Sequence, residues 1–181
     1  MNTLRAITPI ARLARALVVA TPLLVAAMPL PAQGTPVKGL RIGDTAPTAA
    51  VQTLDGKPAD LAAHVGKRPA LIEFWATWCP LCRQLEPTLT ALHAKYGDRL
   101  DLVRVVVPQN QTPQRAREYV EKHQLPGAFY FDADGAAYKA FAAYHTSYIV
   151  VLDGAGRVVH SEDGGTQELE AAIRKAIGAT P

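Results

Sequence analysis

Two cysteines separated by two residues stand where a strand-like segment gives way to a helix-like one, and this junction most constrains the fold. Residues 70–76 (ALIEFWA) are an uninterrupted apolar run apart from one Glu, which is typical of a buried strand. Residues 79–96 carry leucines at the spacing of one buried helix face, namely Leu85, Leu89 and Leu92. The pattern therefore predicts Cys79 at a helix N-terminus and Cys82 one turn later, where the two sulfurs can meet.

The rest of the chain continues the alternation of strands and helices. Further strands are predicted at 101–107, 128–131, 148–152 and 157–160, and the pair Asp55-Gly56 is typical of a hairpin turn. Helices are predicted from Thr112-Pro113, over 136–144, and after a cap at Thr166. Such an order indicates one α/β domain with a central mixed sheet flanked by helices, which we expect over residues 40–178.

The first 32 residues have the composition of a signal peptide. They contain three arginines and no acidic residue, followed by an apolar stretch that two prolines interrupt and by small residues at Ala27 and Ala32. An uncleaved membrane anchor is the alternative, although the stretch is shorter than the roughly 20 residues that a spanning helix needs. We expect a signal peptide at 1–32, a linker at 33–39, and a periplasmic or otherwise extracytoplasmic protein that meets a membrane only if the signal is retained.

The charge of the chain argues against a nucleic-acid partner. The 19 basic residues exceed the 16 acidic ones by three, and three of the arginines lie within residues 1–32. The remainder is therefore formally neutral, and no basic patch for a phosphate backbone is expected.

The spacing of Cys79 and Cys82 suits redox chemistry. A helix N-terminus stabilises a thiolate, so Cys79 is predicted to be exposed and reactive, while Cys82 is partly buried and resolves the mixed disulfide. A structural disulfide, half of a zinc site and a chance pair are the alternatives. A bridge that encloses two residues constrains the unfolded chain little, and a zinc site needs four ligands where the chain has two cysteines.

The segment FWATWCPLC, followed by Pro87, resembles the thioredoxin superfamily. The upstream RIGDTAP and the LDGK turn resemble its extracytoplasmic TlpA/ResA-like branch, and the similarity runs from Leu40 to Ile177. The resemblance implies a thioredoxin-like fold with an N-terminal extension and a central helix-strand insertion at 112–131. It also implies a thiol–disulfide oxidoreductase that serves cell redox homeostasis, needs no cofactor, acts on protein thiols and disulfides, and receives electrons from an upstream reductase.

The same resemblance assigns roles to individual residues. Cys79 would attack and Cys82 would resolve, with Trp75, Trp78 and Pro80 sheltering the pair. Glu73 stands where thioredoxins place a buried acid, and strand alternation puts it on one face with Leu71 and Trp75. Burial would raise the pKa of Glu73 and let it exchange a proton with Cys82. A Glu exposed at an edge, or paired with a lysine, is the alternative.

One loop departs from the superfamily pattern. Thioredoxins place a cis-proline opposite the cysteine pair, but this chain has Ser147 there, and we predict a trans bond between Thr146 and Ser147 because a non-proline cis bond costs about 3 kcal/mol. We therefore expect a different substrate loop at these two residues.

The segment HTSYIVVLDGAG, which begins at His145, resembles Sco-type copper proteins. That resemblance implies an alternative function, a Cu(I)-binding protein or copper metallochaperone that uses Cys79, Cys82 and His145. Sco proteins space their cysteines by three residues rather than two, and the competing interpretation of His145 is a solvated loop histidine without a ligand role.

Overall fold

Seven strands and four α-helices make up the part of the chain described by the structure, a computed structural model that covers residues 38–179. The strands are β1 (Ala50–Thr53), β2 (Pro58–Asp60), β3 (Ala70–Trp75), β4 (Asp101–Val106), β5 (Ala128–Phe131), β6 (Tyr148–Leu152) and β7 (Val158–Glu162). The helices are α1 (Pro80–Tyr96), α2 (Pro113–His123), α3 (Ala136–Ala140) and α4 (Leu169–Ala176), with a short 3₁₀ helix at Leu61–Ala63.

The strands form one mixed sheet in the order β2-β1-β5-β4-β3-β6-β7. β3 runs parallel to β4 and antiparallel to β6, β4 runs parallel to β5, and the remaining neighbours are antiparallel. The predicted mixed sheet is confirmed, and the predicted insertion corresponds to α2 and β5. The turn at Asp55-Gly56 joins β1 to β2, with Gly56 in the left-handed region at φ +84°.

Two apolar layers lie on opposite faces of this sheet. α1 and α4 pack on one face, where their buried side chains join those of alternate strand residues such as Leu71, Leu102 and Ile149. The other face carries Ile72, Phe74 and Val105 and is covered by residues of α2 and α3. All six residues of β3 are buried, because this central strand has a helical layer on both sides.

Local capping explains which predicted element ends agree with the structure. Thr112 caps α2 by accepting a hydrogen bond from the backbone N–H of Arg115 at 3.2 Å, with Pro113 in the first turn, as the sequence predicts. The predicted cap at Thr166 is wrong. α4 begins at Leu169 after Glu168, because Gln167 instead turns its amide to the carbonyl oxygens of Ser147 and Gly164.

The third helix is shorter than the sequence pattern predicts. It ends at Ala140 rather than at residue 144, because Ala142 adopts the left-handed conformation at φ 48°.

The predicted signal peptide at 1–32 lies outside the described residues, as does the predicted linker except for Lys38 and Gly39. Among the helices of residues 38–179, none has the length and apolar character needed to cross a bilayer.

Candidate active site

The cysteine pair lies at the end of the central strand, where α1 begins. Cys79 is the N-cap residue of α1, and its sulfur accepts a hydrogen bond from the backbone N–H of Cys82 at 3.0 Å. Pro80 occupies the first turn, where the missing N–H leaves no helical hydrogen bond unmade. Cys79 and Cys82 are joined as a disulfide, and the structure describes no free cysteine in residues 38–179. This position gives the Cys79 sulfur the N–H groups and the positive end of the helix dipole that stabilise a thiolate.

The exposed surface at this junction belongs to the neighbours of the cysteines. Trp78 is 43% exposed and Leu81 is 38% exposed, whereas both cysteines are fully buried in the disulfide form. The expectation that the Cys79 sulfur is exposed is therefore wrong for this form. The physical reason is that the sulfur is engaged by Cys82 through both the disulfide and the N–H bond, while the flanking apolar side chains project outward.

An open groove of about 620 Å³ lies beside the pair. Trp78 and Leu81 form one part of its lining, and Tyr144, His145 and Thr146 form another. The indole N–H of Trp78 donates a hydrogen bond to the Gln109 carbonyl oxygen at 2.8 Å and so fixes the ring at the rim. The groove therefore combines apolar side chains with polar ones, and the residues that flank the cysteines in sequence, Trp78 and Leu81, line it.

The three residues predicted to shelter the pair have different surroundings. Trp78 lines the groove and Pro80 opens the helix. Trp75 lies in the core, with its ring 5.7 Å from that of Tyr119 and 5.5 Å from that of Phe129. A sheltering role remains a prediction for each of them.

The loop before β6 is held by Ser147, which is buried. Its backbone N–H donates to the Phe74 carbonyl oxygen at 2.7 Å, and its own carbonyl oxygen accepts from the Gln167 side chain at 3.1 Å. The Ser147 hydroxyl accepts from the Gly164 N–H at 3.3 Å. No cis peptide bond occurs in residues 38–179, so the predicted trans bond between Thr146 and Ser147 is confirmed. Ser147 has φ 67°, a left-handed conformation that proline cannot adopt.

His145 forms a hydrogen-bonded group with two neighbours. Its Nδ1 lies 2.7 Å from a carboxylate oxygen of Asp163, whose other oxygen accepts from the Tyr144 hydroxyl at 2.9 Å. These hydrogen bonds, that from His145 first, hold the pKa of Asp163 below its usual range. With Nδ1 donating to a carboxylate, the lone pair of the exposed imidazole lies on Nε2.

Glu73 lies in the middle of β3 and is completely buried, as the sequence predicts. Parallel pairing places it opposite Arg104 of β4, and the Arg104 guanidinium is 3.6 Å from one Glu73 oxygen. Within residues 38–179 neither carboxyl oxygen of Glu73 has a hydrogen-bond partner. The alternative of an edge-exposed Glu is wrong, because β6 covers the other side of β3.

Arg104 is also completely buried, yet its hydrogen bonds go to Glu86 of α1. The two terminal nitrogens of Arg104 donate to the two Glu86 oxygens at 2.7 Å and 2.8 Å, a bidentate pair. The Phe129 ring lies 5.3 Å from the guanidinium carbon. Burial raises the pKa of Glu73 to about 8, against the lowering effect of Arg104 and with a further raising effect of Glu86.

Sequence reasoning missed Arg104, Glu86 and Asp163. A signal existed for the first: Arg104 interrupts the apolar run DLVRVVV, and a charge in a buried strand requires a partner. Glu86 follows Cys82 by four residues, which puts both on one helix face. Asp163 had no comparable signal, because its approach to His145 depends on how β7 returns along β6.

Residues 41–177 match the family model described as Redoxin. The thiol-disulfide oxidoreductase YkuV of Bacillus subtilis is 28% identical over 121 residues, which span 64% of this chain and 82% of that protein. The thiol-disulfide oxidoreductase ResA of Bacillus cereus is 25% identical over 138 residues, 75% of this chain and 79% of that protein.

The architecture also matches solved structures. A thiol:disulfide interchange protein of the thioredoxin family from Chlorobium tepidum superposes with a TM-score of 0.63 at 22% identity. The match covers 77% of this chain and 99% of that chain. The thioredoxin-like fold expected from FWATWCPLC is thereby confirmed.

Proposed function

Because the chain belongs to the redoxin family of thioredoxin-like proteins, we propose that Cys79 and Cys82 are the reacting pair of a thiol–disulfide oxidoreductase that works on protein thiols and disulfides. One observation carries the proposal. The only two cysteines of the chain are bonded to each other at a helix N-terminus, and their sequence neighbours Trp78 and Leu81 line an open groove that can receive a client segment.

The exchange proceeds in two steps from the disulfide form. A client thiolate attacks the Cys79 sulfur, a bond forms between them, and Cys82 leaves with the electron pair of the broken disulfide. A second client thiolate then attacks the client sulfur, which releases the client disulfide and leaves Cys79 as a thiolate. Two electrons pass from client to enzyme. The reverse sequence reduces a client disulfide, with Cys82 attacking the mixed disulfide.

Glu73 supplies the proton balance for Cys82 in this proposal. In the first step Cys82 leaves as a thiolate and takes the proton of Glu73, and in reverse the Glu73 carboxylate accepts the proton of the Cys82 thiol. A carboxyl with a pKa of about 8 holds its proton at neutral pH and can still release it. Glu73→Gln is expected to slow exchange on the order of 10²-fold, a typical size for a proton-transfer contribution.

The matched cysteine variants test the assignment of roles. Cys82→Ser should accumulate a mixed disulfide between Cys79 and a client, because nothing resolves it, while Cys79→Ser should lose exchange completely. Trapping followed by non-reducing electrophoresis and mass spectrometry identifies the cysteine that is bonded. Exchange at the normal rate in Cys79→Ser would refute the proposal.

We further propose that the protein acts outside the cytoplasm and that, when it reduces clients, a separate reductase restores its two thiols. The support for the location is the composition of residues 1–32, three arginines before an interrupted apolar stretch. The N-terminal residue of the protein recovered from its host tests this, with Gln33 or Met28 expected. A chain that keeps Met1 and sediments with membranes would favour the retained anchor instead.

A second candidate function is Cu(I) binding by Cys79, Cys82 and His145. The observation in its favour is the hydrogen bond from His145 Nδ1 to Asp163, because metal-ligating imidazoles commonly donate their other N–H to a carboxylate. Two thiolates and one imidazole suit Cu(I). Nowhere in residues 38–179 do three or more His, Cys, Asp or Glu side chains have metal-binding geometry, and the closed disulfide has first to be reduced.

Titration of the reduced protein with Cu(I) against a competing chelator tests this second function. Tight one-to-one binding that weakens in His145→Ala, and not in the control His123→Ala on α2, would support it. Binding that is indifferent to His145 would remove this residue from the site and leave the exchange function alone.

A further inference from the structure

Three ionisable side chains, Glu73, Arg104 and Glu86, lie together between the sheet and α1, and only two of them share hydrogen bonds. Arg104 gives hydrogen bonds to both oxygens of Glu86 at 2.7 Å and 2.8 Å. Glu73 is 3.6 Å from the same guanidinium, beyond hydrogen-bond reach, although it is the direct neighbour of Arg104 in the sheet. Glu86 of α1 therefore accepts the hydrogen bonds of Arg104 of β4, and Glu73 does not.

The charge balance of this group depends on Glu86. With Glu86 ionised, Arg104 is neutralised, and a second negative charge on Glu73 would be surplus in a place without solvent. Without the Glu86 charge, Arg104 and Glu73 would form the neutral pair, which favours the ionised form of Glu73. Glu86 is the one member with contact to solvent, its side chain being 20% exposed.

The position of Glu86 connects this balance to the cysteine pair. Cys82 and Glu86 are four residues apart in α1 and so lie on the same face of the helix. The helix that carries the resolving cysteine thus also carries the group that binds Arg104. The charged groups that act on Glu73 are Arg104 of β4 and Glu86 of α1, and its partner in β6 is the apolar Ile149.

We propose that Glu86 is a positioning residue: by binding both terminal nitrogens of Arg104 it withholds the guanidinium from Glu73, so that Glu73 keeps a proton for Cys82. This inference rests on the proposed proton exchange between Glu73 and Cys82, and it assigns the control of that exchange to a residue that touches neither sulfur. Arg104 is the link through which Glu86 acts.

The first test is a titration that does not depend on exchange activity. In the full chain with the disulfide closed, the carboxyl carbon of Glu73 is followed by NMR across the pH range, with Glu73→Gln used for assignment. In Glu86→Gln the titration midpoint of Glu73 should fall by about one to three pH units, the effect of an opposite charge that becomes available to a carboxylate. Glu86→Asp, which keeps the charge, should stay closer to the wild-type midpoint.

A second background shows whether Arg104 transmits the effect. In Arg104→Gln the midpoint of Glu73 should rise, and adding Glu86→Gln should then lower it by less than half of the shift seen when Arg104 is present. Glu121→Gln on the exposed side of α2 is the control for removing one negative charge. In this variant the titration midpoint of Glu73 should equal that of the wild type.

Two results would overturn the inference. One is an unchanged Glu73 midpoint in folded Glu86→Gln, and the other is an equal shift with and without Arg104, which would mean direct repulsion between the carboxylates. Failure of the proposed function is recognised separately, because it would show as normal exchange in Cys79→Ser, and failure of the proton role of Glu73 would show as normal exchange in Glu73→Gln, whatever the titrations give.

Discussion

Replacing Glu73 by Gln should change the pH dependence of stability in a defined direction. The carboxyl is completely buried, and its pKa is raised from the ordinary 4.5 to about 8 in the folded protein. Between these two values the unfolded chain loses the proton while the folded chain keeps it. A raised pKa in the folded state therefore gives a stabilisation that is complete below about pH 4.5 and is lost as the pH rises to about 8. Gln does not titrate, so the unfolding free energy of the variant does not decrease with pH for this reason.

The magnitude follows from proton linkage. Each pH unit within the window changes the free energy of unfolding by about 1.4 kcal/mol for one proton. Because the unfolded carboxyl is already largely ionised at about pH 5, the change between about pH 5 and pH 9 amounts to about 4 kcal/mol. The unfolding free energy of Glu73→Gln minus that of the wild type should therefore be about 4 kcal/mol larger at pH 9 than at pH 5, in favour of the variant.

Urea unfolding of both chains at a series of pH values provides the measurement. The disulfide is kept closed, so that no cysteine titrates in the same range. Any constant effect of the amide cancels, because the comparison uses only the change with pH. Glu121→Gln, at an exposed position of α2, serves as the control and should show a difference that varies by less than about 0.5 kcal/mol.

A difference that stays constant from about pH 5 to pH 9 would refute the reasoning, because the pKa of Glu73 in the folded protein would then lie no higher than in the unfolded chain, as for a carboxylate that Arg104 holds ionised. That result would also remove the proton that the proposed exchange mechanism assigns to Glu73.

Three further predictions concern the framework around the site. Ser147→Pro should destabilise the protein by about 2 kcal/mol or more, because proline lacks the N–H that bonds Phe74 and cannot adopt φ 67°. Ser147→Gly should stay within about 1 kcal/mol of the wild type, because glycine keeps both features. Chemical denaturation of the two variants measures the difference. Thr112→Ala should cost about 1 kcal/mol through loss of the cap of α2, visible as faster amide hydrogen exchange in its first turn. Leu85→Ala should cost about 2–5 kcal/mol with an unchanged denaturant slope, because Leu85 is buried between α1 and the sheet. The first argument would be contradicted by equal destabilisation in Ser147→Pro and Ser147→Gly, and the second by unchanged amide exchange in α2 of Thr112→Ala. The third would be contradicted by a cost below about 1 kcal/mol for Leu85→Ala.

The predictable part of the site consists of local features. Cys79 as N-cap, Cys82 one turn later and Thr112 with Pro113 follow from residue types at fixed spacing along a helix. The burial of Glu73 follows from its place in an apolar run. The trans bond before Ser147 follows from the cost of a cis bond without proline.

The unpredictable part depends on contacts between distant segments. Arg104 could be identified as a buried charge from the sequence. That it hydrogen-bonds Glu86 and not the adjacent Glu73 depends on how α1 lies across β3 and β4. The burial of Cys79 likewise depends on the residues of the core cluster that pack around it and not only on its place at a helix end.

Residue patterns were sufficient to establish the order of strands and helices, the location of the cysteine pair at a strand–helix junction and the absence of proline from the loop opposite. These are consequences of hydrophobic period, capping and backbone preference, which act over a few residues. Two contacts depend on the folded arrangement instead: Asp163 hydrogen-bonds His145, and Arg104 donates its hydrogen bonds to Glu86 rather than to Glu73. Electrostatic partners in a protein interior are set by distances between elements far apart in the chain, and the charge of Glu73 is set by those partners and by burial.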